Sequence, residues 1–291
     1  MVWCSGWRLA SAVSNEGGLG LIGAGSMSPD TLRTHIRKCK EATSFPFGVN
    51  LPLLYSSIVE LIKVVEEEGV KIVFTSAGNP ATWTARLKDR GIKVVHVVSS
   101  VKFALKAEMC NVDAVVAEGF EAGGHNGRDE TTTFVLTPMV RQAIRIPLIA
   151  AGGIVSGRTM LAAEILGASG FQIGSRFACS EESSAHARFK ERVINSTEGD
   201  TMLVLKQLTP VRLLKNKFYE SVVTAEQKGA GVDELSVLLG KGRSRLGIFE
   251  GNLDEGELEI GQAAFAIRRV QSVKDIMVEL WSEYSSLKKG G

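Results

Sequence analysis

The sequence predicts an α/β protein built as a (β/α)8 TIM barrel with a C-terminal helical or lid extension. Three observations predict it. From residue 19 to about 180 the chain alternates short runs rich in β-branched and small residues with stretches of helical spacing. The short runs are almost continuously apolar, as parallel strands buried on both faces require. The length of 291 residues holds one barrel of about 250 residues and an appendage.

The opening MVWCSGWRLASAVSNEGG reads as a loop and then a helix that stops at Gly17-Gly18. Strands are expected at Leu19–Ala24, Phe47–Leu51, Ile72–Ser76, Val94–Val98, Ala114–Glu118, Leu148–Ala151 and Gly170–Ile173. Helices lie between them. Ser28 is placed to cap one that begins with Pro29 and Asp30. IVELIKVVEEEG has apolar residues on one helical face and ends at Gly69. TWTARLKDRG, VKFALKAEMC, FVLTPMVRQAI and RTMLAAEILGA supply the rest. Seven strands are readable where a barrel of this class has eight, and the opening helix has no strand before it. Either the barrel closes another way or an eighth strand stands ahead of residue 1; the second is the favoured expectation, and it makes the readable runs strands two to eight.

Residues 1–185 form the expected barrel and 186–291 the expected extension packed on it. Residues 186–195 read as a helix. Residues 200–260 read as a Gly- and charge-rich segment with a helical stretch at VDELSVLLG. Residues 270–286 form an amphipathic helix with Val273, Ile276, Met277 and Leu280 on one face.

Composition excludes several function classes. Lys+Arg total 34 against 32 for Asp+Glu, too small an excess to favour a nucleic-acid partner. No apolar run reaches the roughly 18 residues of a membrane span. Cys4, Cys39, Cys110 and Cys179 stand far apart, so neither a zinc site nor a disulfide framework is expected. The opening residues do not read as a secretory signal, and the expected location is the cytoplasm.

Catalytic and binding groups of such barrels sit at the C-terminal strand ends. Gly152-Gly153 follow strand seven and Gly174-Ser175 follow strand eight, the usual position of a phosphate. Glycines there let backbone N–H groups approach an anion closely. His125, in EGFEAGGHNG, stands at a strand end with glycines on both sides, placed for proton transfer near neutral pH. The other three histidines read differently. His35 lies on a solvated helix, His96 lies mid-strand, and His186 opens a late helix. Glu118 and Glu121 flank the His125 loop and either orient it or face solvent. Asn50 and Thr75 end their strands with short polar side chains that can hydrogen-bond the edge of a planar heterocycle. No set of metal ligands is recognisable, nor a G-x-S-x-G elbow. A phosphate site, polar strand ends and one open imidazole fit a phosphorylated planar cofactor across the barrel mouth. FMN satisfies every part of that description, whereas a sugar phosphate satisfies only the phosphate part.

The segments AVSNEGGLGLIGAG, EGFEAGGHNG, IPLIAAGGI and GASGFQIGSRF together resemble the FMN-dependent family of nitronate monooxygenases and enoyl-acyl-carrier-protein reductases II. The resemblance covers nearly the whole chain. It implies His125 as the catalytic histidine and Gly123 and Gly124 as the flavin-contacting loop. It also implies Gly152, Gly153, Gly174 and Ser175 as the phosphate site, with Asn50 and Thr75 near the ring system. Met1 matches the last residue of a flavin-packing motif. The reductases pass hydride from NADH or NADPH through FMN to an enoyl thioester, while the monooxygenases oxidise nitronates with oxygen. TPVRLLKNKF and GIFEGNLDEGELEIGQAAFAI look like the reductase branch. The implied function is therefore an enoyl-acyl-carrier-protein reductase of fatty acid biosynthesis, with nitronate monooxygenase as the alternative. The implied substrate is a small-molecule or acyl-carrier-protein-linked enoyl thioester, and the appended helices point to a homodimer.

Overall fold

The computed structural model describes residues 1–290. Its first part runs α1 (Trp7–Asn15), β1 (Gly20–Gly23), α2 (Pro29–Ala42), β2 (Phe47–Pro52), α3 (Ile58–Glu67) and β3 (Ile72–Ser76). There follow α4 (Thr84–Asp89), β4 (Lys93–Val98), α5 (Val101–Met109), β5 (Ala114–Glu118) and β6 (Gly124–His125). Then come α6 (Thr133–Ala143), β7 (Leu148–Ala151), α7 (Gly157–Ile165), β8 (Gly170–Gln172) and α8 (Ser175–Ala178). Strands β1 to β5, β7 and β8 form one seven-stranded sheet in chain order, each pair parallel. All seven strands expected from the sequence are present, with bounds shifted by at most one residue. The local reasons hold too: the Ser28 side chain accepts from Thr31 N–H at the start of α2, and Gly69 ends α3 with φ +63°.

Among the described residues the sheet is an open barrel, because its edge strands β1 and β8 do not pair. The opening residues lie at this seam, on the mouth side. The Met1 carbonyl is 2.7 Å from where a Cβ would stand on Gly23, and the Met1 sulfur is 3.7 Å from the same point on Gly174.

Successive strand residues face opposite sides. Outward-facing Ile22, Val49, Val73, Val94, Val115 and Leu148 join the helices in the main core. Inward-facing Phe74, Val95, Val116 and Ala151 fill the barrel. The same alternation turns Asn50, Ser76 and Glu118 into the mouth and Thr75 away from it. Thr75 is 1% exposed, and its hydroxyl lies 2.7 Å from Nδ1 of the buried His96. This corrects the expectation that the Thr75 side chain meets the cofactor: it shares the outward face of Val73, and Ser76 is the inward residue. Thr75→Val is expected to leave FMN retention unchanged. It should cost about 1–3 kcal/mol in chemical denaturation, because it strips a buried imidazole of its partner.

The rest of the chain comprises α9 (Ala187–Ile194), β9 (Thr201–Val204), β10 (Val211–Leu214), α10 (Lys217–Gln227), α11 (Val232–Leu239) and α12 (Val273–Gly290). Strands β6, β10 and β9 form a second, antiparallel sheet. Sequence reasoning missed β6, β9, β10 and α10. Strands β6, β9 and β10 are too short to display a period, and they lie outside the strand–helix rhythm that marks β1, β7 and β8, which are equally short. The expected face of α12 is buried, against α7 and α1. A Cβ on Gly157 would stand 2.2 Å from the Tyr284 backbone nitrogen, so glycine sets how closely α12 approaches. His35 is half-buried rather than solvated: its Nδ1 accepts from Trp7 N–H at 3.1 Å, stapling α1 to α2. His186 caps α9, accepting from Arg188 N–H. All four cysteines are free.

Candidate active site

His125 is exposed at the mouth, and among the described residues its side chain has no hydrogen-bond partner. Its backbone, in contrast, is held on every side. Strand β6 pairs with β10 through Val211 opposite His125 and Arg212 opposite Gly124. Asn126 Nδ2 donates to the Ala122 and Gly124 carbonyls at 2.9 and 3.0 Å. Arg128 donates to the carbonyls of Lys206 and Leu208. The loop that looked flexible for its glycines is therefore a fixed platform with a free imidazole. Its glycines have a steric cause. A Cβ on Gly123 would stand 2.4 Å from the Ile260 carbonyl carbon, and Gly124 adopts φ +76°.

Glu121 does not orient His125. Its carboxylate accepts from the Thr133 N–H at 2.9 and 3.0 Å and from the Thr133 hydroxyl at 3.0 Å, capping α6. Thr133 Oγ1 also lies 3.1 Å from the Ala151 carbonyl and 2.9 Å from that of Gly152. This knot fixes the end of β7. Gly152 and Gly153 then turn with φ +94° and +69°, and a Cβ on Gly152 would stand 2.7 Å from the Gly119 carbonyl. Among the described residues the backbone N–H groups of Gly152, Gly153, Gly174 and Ser175 make no hydrogen bond within the chain. Paired orphan donors on adjacent strands suit an anion. The Ser175 hydroxyl accepts from Gly261 N–H at 3.0 Å, tying the extension to this cradle.

Glu118 ends β5 on the inward face and lines a small cavity with Ser99, Phe120, Gly127, Asp129 and Thr131. Burial pushes its carboxyl up to about 7 from the usual 4.5. Such a group holds its proton more tightly folded than unfolded, so its contribution is fully present below about pH 4.5 and is lost as pH rises through about 7. Glu118→Gln removes that dependence. Thermal melts are expected to show the variant gaining on wild type between about pH 5 and pH 8, with no such gain below about pH 4.

Three further residues were not singled out from sequence. Arg212 is 2% exposed. Its Nε donates to the Phe120 carbonyl at 3.0 Å and its guanidinium lies 5.0 Å from the Phe120 ring, which anchors the loop ahead of His125. Tyr55, after β2, has its hydroxyl 3.5 Å from the Cβ position of Gly25. Glu259 lies against Gly124, its Oε2 2.6 Å from the Cβ position of that glycine. Glu259 lies within the segment GIFEGNLDEGELEIGQAAFAI, but no period marks it out there, since its place depends on how the extension crosses the His125 loop.

A family profile described as nitronate monooxygenase matches residues 1–61 and 55–283. The chain belongs to the nitronate monooxygenase family. The members of this family are FMN-dependent oxidoreductases, so this chain is an oxidoreductase too. It is 34% identical over 258 residues to a probable nitronate monooxygenase of Staphylococcus saprophyticus, covering 72% of each chain. It is 33% identical over 226 residues to a Mycobacterium tuberculosis (3aS,4S,5R,7aS)-5-hydroxy-7a-methyl-1-oxo-octahydro-1H-indene-4-carboxyl-CoA dehydrogenase, covering 76% of this chain and 63% of that one. Its structure is similar to that of FabK from Thermotoga maritima, with a TM-score of 0.94 and 40% identity over 100% of this chain and 92% of that chain.

The site fits the family's cofactor. Orphan amides at two adjacent strand ends suit the FMN phosphate, and glycines leave room for it where side chains would collide. Among the described residues no helix is long and apolar enough to cross a membrane.

Proposed function

We propose that this member of the nitronate monooxygenase family is an enoyl thioester reductase. The observation that carries the reading is an exposed imidazole with no internal partner, beside a backbone amide cradle, on a chain 40% identical to FabK along its whole length. FMN held there would supply hydride, drawn from NADH or NADPH, to the β-carbon of the enoyl thioester. The residues of this chain do the rest. The amides of Gly152, Gly153, Gly174 and Ser175 hold the phosphate, while Gly123 and Gly124 let the cofactor lie close to the loop. Asn50 and Met1 stand where the ring system would rest. His125 donates its proton to the enolate that forms as hydride arrives, and takes the next proton from water.

The similarity to a carboxyl-CoA dehydrogenase supports a thioester substrate. So does the charge of the mouth. Glu118 lines the mouth beside Ser99 and Gly127 and Glu259 lies over Gly124, and where they ionise they oppose an anionic nitronate and leave a neutral thioester untouched. The thioester carrier in this reading is coenzyme A or acyl carrier protein, the location is the cytoplasm, and residues 186–291 act as a lid packed on the barrel.

The family match and the Staphylococcus relative favour a second reading, in which His125 withdraws a proton from a nitroalkane. Anaerobic mixing separates the two. NADH or NADPH is expected to bleach the flavin, and crotonyl thioester to restore its colour. A flavin that ignores both nucleotides, with rapid oxygen uptake on adding a nitronate, would replace the first reading with the second.

A further inference from the structure

The two turns of the phosphate cradle are held from behind by the last helix. The Gly152-Gly153 turn runs through Val155 into α7, and the Gly174-Ser175 turn runs into Arg176. Arg176 reaches from the second turn back to the first. Its Nη1 donates to the Val155 carbonyl at 3.0 Å. Its Nη2 donates to Gln271 Oε1 at 3.2 Å and pairs with the Glu279 carboxylate of α12. Glu279 is itself fixed, since its Oε1 accepts from Arg269 Nη2 and from Gln271 Nε2, each at 2.7 Å. Gln271 is fixed in turn, its carbonyl accepting from Glu181 N–H at 2.9 Å. One turn further along α12, Glu283 Oε2 accepts from Gly157 N–H at 2.8 Å, at the start of α7. Residues four apart on a helix share a face. That face of α12 therefore grips the chain just beyond each glycine turn, and the Arg176 side chain joins the two grips. The Arg176 side chain is only 15% exposed and engaged with the chain at both terminal nitrogens, so its part is to hold the turns and not to meet a ligand.

We propose that Arg176 is a positioning residue of the phosphate cradle: with Glu279 and Glu283 of α12 it sets the spacing of the Gly152-Gly153 and Gly174-Ser175 turns, so that docking of α12 and binding of the FMN phosphate favour each other. The role rests on the reading of those turns as the phosphate site. An anion shared by amides from two strand ends is bound well at only one spacing of the ends, and glycine turns by themselves leave that spacing soft. Arginine suits the task because its planar fork serves a carbonyl and a carboxylate at once, in fixed directions. A lysine offers one nitrogen and no fork. The linkage runs both ways by thermodynamic necessity: whatever α12 adds to phosphate affinity, the phosphate adds to the docking of α12. It is the same whether the flavin serves a reductase or a monooxygenase.

The test titrates FMN and riboflavin, which differ only by the phosphate, into the flavin-free full chain and follows flavin fluorescence. Arg176→Met keeps the aliphatic stem and removes the fork, while Arg176→Lys keeps the charge. Arg176→Met is expected to weaken FMN about tenfold, the size of a typical coupling between sites, and to leave riboflavin affinity hardly changed. Arg176→Lys should recover part of the loss through Glu279. Lys288→Met, which breaks the pairing of α12 with Glu164 on α7, leaves Arg176 alone and should change neither flavin. A second readout is amide exchange along α12. FMN should slow it more than riboflavin does in wild type, and the two flavins should act alike in Arg176→Met. A purely structural arginine would weaken both flavins by one factor, and that result, or no change in either, would overturn the role. Gly152→Ala in the same titration separates the two readings. If it loses FMN and keeps riboflavin while the Arg176 variants do not, the cradle stands and the role of Arg176 falls. If it weakens both flavins equally, the phosphate lies elsewhere and the role falls with the cradle.

Discussion

His125→Ala is expected to lower enoyl thioester reduction by about 10²–10⁴-fold, the contribution of a positioned general acid. Binding and folding should hardly change. The imidazole is exposed and among the described residues makes no hydrogen bond, so its loss removes neither packing nor a buried partner. Exposed sites of this kind shift stability within about 0.5 kcal/mol. The backbone at 125 is held by β10 and Asn126, which the substitution leaves in place. The flavin should stay bound, and anaerobic reduction by NADH or NADPH should proceed at the wild-type rate, since the proton donor acts only after hydride reaches the thioester. The measurement is a pair of half-reactions followed by flavin absorbance. Slow oxidation by enoyl thioester after normal reduction supports the assignment. Equal rates in both halves would remove His125 from the chemistry.

Gly152→Ala should strike the cofactor instead. Two costs fall on one methyl group. The residue sits at φ +94°, where an L side chain costs about 1–3 kcal/mol. Its Cβ would stand 2.7 Å from the Gly119 carbonyl and 2.8 Å from Thr133 Oγ1, inside the knot that fixes the end of β7. Relief requires the turn to move and its amides to leave their positions. Losing one hydrogen bond to a charged phosphate is worth about 1.5–3 kcal/mol, so FMN affinity should fall tenfold or more. Gly17→Ala is the control. It has φ +82° and nothing within 4 Å of its Cβ position. It carries the backbone cost without the collision and should keep wild-type affinity. Fluorescence titration of released FMN gives both values. Equal affinity in Gly152→Ala and wild type would mean that the phosphate lies elsewhere.

Much of this was legible before any coordinates. Buried parallel strands announce themselves as unbroken apolar runs, and all seven were placed that way. Glycine pairs at strand ends stand out in the sequence, and Gly152-Gly153 does turn with positive φ on successive residues, a conformation glycine adopts at little steric cost. Glycine flanks likewise singled out His125 among four histidines. Thr75 was misread because a one-residue difference in strand parity exchanges mouth for wall, and a nearly all-apolar run such as IVFTS does not reveal its parity. Ser76 and Glu118 could have been assigned to the mouth only by knowing which of Val73 and Phe74 packs against helices.

The sequence by itself determined the strand–helix order, the strand ends that carry paired glycines, and the one histidine flanked by glycines. Those follow from local properties: apolar runs, glycine conformation and residue type. Tertiary structure alone decided that Glu121 caps a helix, that Thr75 serves His96, and that β10 brings Glu259 over Gly124. Each of these joins residues from 12 to 135 positions apart. Such pairings depend on register and on the crossing of separate elements, which no local pattern encodes.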